Sequence, residues 1–148
     1  MTILQNIKEA ALAARKLRDA DNAASLTTLL SEVTMIGKND GNRETTDVET
    51  IAVIKKFIKN IDEFLGARVF AHGDPTAVKL INEKSLYNSF LPKQLDEAQI
   101  RAELMALKNE LNISGPKGMG ELLKAFKIKF EGSYDGGTAA KIAKEIVA

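Results

Sequence analysis

Apolar residues recur three and four positions apart along almost the whole chain, and no run of β-branched residues alternates with polar ones between turn signals. Spacing of that kind lays one face of an α-helix on a core, whereas a half-buried strand needs period two. The chain is therefore expected to be all-α. With 148 residues, 45% of them apolar, it can bury one substantial core or two small ones.

Thr2 is placed to cap a first helix with the face Ile3, Ile7, Ala10, Ala14 and Leu17, and "DADN" around Asp21 reads as its break. A second helix carries Leu26, Leu29, Leu30, Val33 and Ile36, and the glycines of "GKNDGNRE", Gly37 and Gly41, are expected to stop it. Thr46 and Glu49 have capping-box spacing and open a third helix striped by Val48, Ile51, Ile54, Ile58, Ile61 and Leu65, expected to run towards Gly73. Asp74 as cap and Pro75 as first helical residue start a fourth, with Ala77, Leu80, Ile81, Leu86 or Tyr87, and Phe90 inward. It must end before Pro92, whose ring disfavours helical geometry at Leu91.

Asp96 and Gln99 form another capping-box spacing ahead of Ile100, Leu104, Leu107 and Leu111. Two short helices complete the pattern, one from Met119 to about Lys129 and one from Thr138 to Ala148, the latter opened by "YDGG". The long helical segment gives way to short ones between Leu91 and Asp96. The expected organisation is an N-terminal helical bundle over residues 1–92 and a small C-terminal three-helix tail domain over 93–148.

Several kinds of chemistry have no residues to carry them. Cysteine is absent and His72 is the only histidine, so there is no recognisable metal set and no thiol nucleophile. His72 stands beside a glycine and reads as an exposed turn residue. Adjacent carboxylates such as Asp62 and Glu63 point in different directions on a helix and make a solvated face rather than an acid/base pair. A serine nucleophile elbow is missing, because Ser114–Gly115 lacks both the flanking pattern and a preceding strand. Neither a catalytic residue nor a cofactor is expected. The opening "MTILQNIKEAALAARKLRDA" reads as neither a secretory signal nor an anchor, and no stretch has the ~20 apolar residues of a span. A cytoplasmic protein without a membrane partner is the expectation.

The glycine-rich "GPKGMGELLKAF", Gly115 to Phe126, invites a phosphate-binding interpretation. Gly115 and Gly120 match the glycine spacing of the nucleotide-binding loop, but Glu121 and Leu122 replace its lysine and hydroxyl. The dinucleotide pattern fails as well, with Leu123 where a third glycine belongs. The stretch reads as a turn opening a helix, with Met119 and Leu122 inward and Gly120 allowing close packing. Phe126 and Phe130, four apart, share a core face with Leu122 rather than stacking on bases, which leaves the neighbouring lysines as the exposed part. The formal charge of the chain is only +1, so any attraction to nucleic acid must be local. From Ile113 onward there are six lysines, Lys117, Lys124, Lys127, Lys129, Lys141 and Lys144, against four acids. These six are the candidate contacts to a phosphate backbone.

"SLYNSFLPKQLDEAQI", "GPKGMGELLKAF" and "EGSYDGGTAAKIAKEIV", in that order, resemble the GatB/YqeY domain family. The most specific points are Leu91, Pro92, Gln94 and Leu95, then Met119 and Gly120, then Gly132, Asp135 and Gly136. The family includes free-standing YqeY proteins and the C-terminal helical and tail region of the GatB component of the aspartyl/glutamyl-tRNA amidotransferase. The resemblance implies a helical bundle followed by a three-helix tail. It also implies a link to tRNA or a tRNA-handling protein, because in the amidotransferase the tail helps hold the tRNA body. The resemblance places a carbon–nitrogen ligase activity with glutamine as amido donor in another domain of that enzyme, one not expected here. Two positions depart from the pattern: Gly118 stands where members often carry an acid, and Ser133 with Tyr134 where they often place a basic residue. Two functions are expected on this basis. One is a non-catalytic, tRNA-associated accessory module, and the other is a protein-protein interaction adaptor without RNA binding.

Overall fold

The computed structural model describes residues 2–148. Among them lie seven α-helices and one short 3-10 turn, with no strand. The protein is all-α. Two compact units form, the first ending at Leu91 and the second spanning Pro92–Ala148.

The first unit holds α1 (Ile3–Lys16), α2 (Ala20–Asn39), α3 (Asp47–Gly66) and α4 (Pro75–Asn88). Capping residues fix where these helices start. Thr2 and Gln5 close a capping box on α1, Thr46 and Glu49 close another on α3, and Asp74 Oδ1 accepts from the N–H groups of Thr76 and Ala77 at the start of α4. The core between them is built from Leu4, Ile7 and Ala11 of α1, Leu26, Leu29 and Val33 of α2, Ile54 and Ile61 of α3, and Tyr87 of α4. The Tyr87 hydroxyl is buried with its ring and donates to Glu83 at 2.6 Å, so the polar end of this large side chain is satisfied.

The core differs from several expectations. The buried stripe of α1 is Leu4, Ile7, Ala11 and Ala14, with Ile3 and Ala10 at its edges, and Leu17 is 81% exposed. Leu17 lies one residue past the helix, where the chain has already begun to turn. The break expected at "DADN" falls at its first residue, between Lys16 and Ala20, where Asp19 caps α2 by accepting from the N–H of Asn22 and the rest of the stretch forms the first turn of that helix. Val48, Ile81 and Leu111 are exposed, the first and last because they sit at helix ends and Ile81 because α4 turns Tyr87 inward instead. α3 ends at Gly66, well before Gly73. Beyond it Phe70 packs on Phe64 with centroids 6.0 Å apart and Arg68 lies over the same ring. α4 ends at Asn88, so Phe90 packs on the core from outside the helix. His72 is exposed in the turn between α3 and α4.

Gly37 does not stop α2. It is buried within the helix because the following loop folds back over it. The Thr45 hydroxyl reaches the Val33–Gly37 rung of α2, donating to the Val33 carbonyl at 2.6 Å and accepting from the Gly37 N–H at 3.1 Å. A Cβ at Gly37 would overlap the Arg43 carbonyl oxygen, so only glycine permits this approach. The same loop is tied by Arg43, whose guanidinium pairs with Glu49 at 2.6 Å and Asp40 at 2.7 Å. The bond from Arg43 holds the Glu49 carboxyl down at about 2, with the Thr46 backbone N–H and hydroxyl contributing further.

Candidate nucleic-acid interface

The second unit consists of α5 (Glu97–Glu110), the 3-10 turn Pro116–Gly118, α6 (Met119–Phe130) and α7 (Gly136–Val147). Ile100 and Leu104 of α5, Leu122 and Phe126 of α6, and Ala139 and Ala143 of α7 interlock as its core. Phe126 meets Phe130 at 4.9 Å and Tyr134 at 4.6 Å between centroids, so these aromatic rings pack on one another inside the unit. Paired contacts fix the direction of each helix. Leu95 N–H donates to Ser133 at the start of α5 and α7, and Lys108 Nζ donates to Ile146 at their ends, so these two run the same way. Gly118 at the start of α6 packs on Ile113 just past the end of α5, while Lys129 near the end of α6 reaches back to Glu103 in the middle of α5, so α6 runs opposite.

Residues that carried the family resemblance meet where α5 and α7 begin. The Gln94 amide nitrogen donates to the Pro92 carbonyl at 2.9 Å and to the Gly132 carbonyl at 2.8 Å, using both of its hydrogens. Leu95 adds its backbone bond to Ser133 at 2.7 Å. Gly132 has φ +77°, a conformation side chains disfavour, and it turns the chain back towards α7. Asp135 then caps α7, accepting from the Thr138 N–H at 2.9 Å, and for that reason α7 begins at Gly136, two residues ahead of the expected Thr138. Leu91 and Leu95 are half-buried, each against the core of its own unit, and Met119 packs on the second core.

The glycine responsible for close packing in "GPKGMG" is Gly118, not Gly120. A Cβ at Gly118 would overlap Ile113 Cγ2, whereas nothing approaches Gly120. An acidic side chain at 118 is thus incompatible with Ile113 in its present position.

The six candidate lysines are all exposed, but they do not form one surface. Lys124 and Lys127 are three apart on α6 and share its outer face, with Lys117 two turns earlier in the 3-10 turn. None of these three is in an ion pair among the described residues. Lys129 faces the other way, 3.5 Å from Glu103 and 5.2 Å from the centroid of the Phe130 ring. Its positions relative to Lys124 and Lys127, five and two residues on, are a signal that helical spacing already held. Lys141 borders a cavity of about 300 Å³ between α5 and α7 that also has Glu97, Arg101, Asp135 and Glu145 in its wall. There Arg101 bonds Glu145 at 2.6 Å and holds that carboxyl below its usual range, with the charge of Lys141 acting in the same direction. Mixed charge of this kind gives no net pull on a phosphate. Lys144 is exposed one turn further along α7.

The comparison that decides the family covers nearly all of this structure: the model for Yqey-like protein matches residues 4–147. The chain belongs to the YqeY-like family. Among curated proteins nothing matches the chain. The family match takes in both units, so the Gln94 bridge, the Gly132 turn and the α6 lysines all lie within it. No helix among the described residues is long and apolar enough to cross a membrane.

Proposed function

We propose that this YqeY-like protein is a non-catalytic accessory module whose C-terminal unit contacts tRNA through the phosphate backbone. The observation that carries the proposal is the pair Lys124 and Lys127 on the outer face of α6, with Lys117 in its leading turn: three exposed cations, none in an ion pair among the described residues, against one exposed acid there, Glu121. Such a set contributes a few phosphate contacts and reads no bases, which suits a partner that holds an RNA body while chemistry takes place elsewhere. The amide-transfer chemistry of the larger amidotransferase has no counterpart residues in the sequence.

A gel-shift titration with bulk tRNA at low salt tests the proposal. The double variant K124Q/K127Q is expected to weaken binding and to flatten the plot of log K against log salt by roughly 1.4 to 1.8, from about 0.7–0.9 for each phosphate that is no longer neutralised. Because Lys129 is turned to Glu103, K129Q is expected to leave the slope unchanged. Absence of binding at high micromolar protein, or an equal effect of K129Q, would refute it. A second reading, protein docking without RNA, is favoured by Ile128, which is 75% exposed and lies four residues from Lys124 on the same outer face. It predicts that I128S abolishes the unit's interactions while K124Q/K127Q does not.

A further inference from the structure

Two aspartates of the chain precede a glycine, Asp40–Gly41 and Asp135–Gly136, and no asparagine does. At such a step the glycine's backbone nitrogen can reach the carboxyl carbon of the aspartate, because the glycine has no side chain to hinder the approach. The structure treats the two steps differently.

Asp135 is locked in place. Its carboxylate accepts from the Thr138 N–H at 2.9 Å and from the Thr138 hydroxyl at 2.8 Å, and Gly136 is already the first residue of α7. Asp40–Gly41 lies instead in the exposed loop that follows α2. Gly41 has φ +72° and nothing within 4 Å of the place a Cβ would take. The backbone bonds of this loop run from the Asp40 and Arg43 N–H groups to the Gly37 carbonyl, at 3.2 and 3.0 Å, and none among the described residues uses the Gly41 N–H. The Asp40 side chain is held by Arg43, whose Nε and Nη2 both bond Oδ2, at 2.8 and 2.7 Å, yet it is still 72% exposed. A pair so open to water holds its geometry weakly.

We infer that Asp40–Gly41 is a site of spontaneous isoaspartate formation, and that Arg43 guards it. When the pair opens, the Gly41 nitrogen bonds to Cγ of Asp40. The proton of that nitrogen, one carboxyl oxygen and a proton from solvent leave together as water, which closes a five-membered succinimide. A water molecule then adds to one of the two ring carbonyls. Addition at Cγ breaks the new bond and restores aspartate. Addition at the main-chain carbonyl carbon breaks its bond to the Gly41 nitrogen, so that the chain now runs through Cβ and Cγ and the carboxylate sits on Cα. No oxidant or other reactant is needed. The product has one more backbone atom between the two N–H groups that share the Gly37 carbonyl. The turn no longer fits that carbonyl, and the loop carrying Thr45 over Gly37 loosens.

The test holds the full chain at physiological temperature and neutral pH for weeks and follows it by peptide mapping, with electron-transfer fragmentation to tell isoaspartate from aspartate. Isoaspartate is expected to accumulate at Asp40 and to stay at its starting level at Asp135. R43Q is expected to speed the reaction at Asp40 about two- to fivefold, the worth of an exposed ion pair, and to leave Asp135 unchanged. D40E keeps a carboxylate but cannot close the five-membered ring, and is expected to form no such product. In the separated isoaspartyl fraction the Arg43 amide should exchange its hydrogen faster than in fresh protein. No isoaspartate at Asp40, or equal accumulation at the two steps, overturns the inference. So does an R43Q rate at or below that of wild type, an R43Q effect shared by Asp135, or unchanged exchange at Arg43.

Discussion

Replacing Gly37 by alanine is expected to destabilise the first unit, against the ordinary trend for a glycine inside a helix. Alanine gains about 1 kcal/mol over glycine at an interior helical position through lower chain entropy and better propensity. At Gly37 the added Cβ would overlap the Arg43 carbonyl oxygen and lie 2.8 Å from the Thr45 nitrogen and 2.9 Å from its hydroxyl oxygen. Two of those three atoms belong to backbone, which cannot swing aside as a side-chain tip can. Overpacking of this kind costs about 1–3 kcal/mol, and displacing the Thr45 hydroxyl from its two bonds on α2 costs about 1–2 kcal/mol more. The net expectation is a loss of about 2 kcal/mol, or roughly 8–16 °C in Tm at about 4–8 °C per kcal/mol for a unit of this size. Urea denaturation followed by circular dichroism measures it, with G66A as control, because Gly66 ends α3 with nothing within 4 Å of its Cβ position. If G37A is as stable as wild type, or gains as G66A is expected to, the closed packing of the 41–45 loop on α2 is wrong.

Three further outcomes follow from particular bonds. Glu49 is held at about 2 against an ordinary 4.5, so its contribution to stability is present above about pH 4.5 and is lost as pH falls towards 2. E49Q should flatten the stability profile across that window, and a profile parallel to wild type would exclude the Arg43–Glu49 contact as its source. Q94E replaces an amide that donates to two carbonyls with a carboxylate that repels both, and should cost the second unit about 0.5–1.5 kcal/mol, with faster hydrogen exchange at Leu95. Unchanged exchange at Leu95 would show that the bridge does not hold that loop. Both tyrosines are pushed above their ordinary 10, Tyr87 by burial and then its bond to Glu83, Tyr134 by burial and then the charge of Glu131. A spectrophotometric titration of the folded protein should therefore lack a midpoint at 10, stability should fall as pH rises above that value, and a tyrosinate step at 10 would contradict the buried hydroxyl of Tyr87.

The sequence by itself determined the all-helical class, the capping boxes at Thr46–Glu49 and Asp96–Gln99, the Asp74–Pro75 start of α4, and most inward positions of α2 and α5. These are local properties: a cap and its partner are three residues apart, and a buried stripe repeats within two turns. The differences at Leu17 and Leu111 arose at helix ends, where periodicity gives no warning that the chain is about to turn, and that of Ala10 for Ala11 is a one-residue shift of phase inside α1. Tertiary structure alone decided the matters that depend on residues distant in the chain. Gly37 reads as a helix stop until Thr45, eight residues on, is seen against it. Gln94 is an ordinary polar residue until Gly132, 38 positions later, supplies the carbonyl it holds. Helical spacing already sets Lys129 off the face of Lys124 and Lys127, but that Glu103, 26 positions earlier, is what meets it there was decided by packing. Helical spacing records which residues of one helix share a face, but the identity of the opposing surface depends on how separate helices pack, and that is where the candidate interface was sorted.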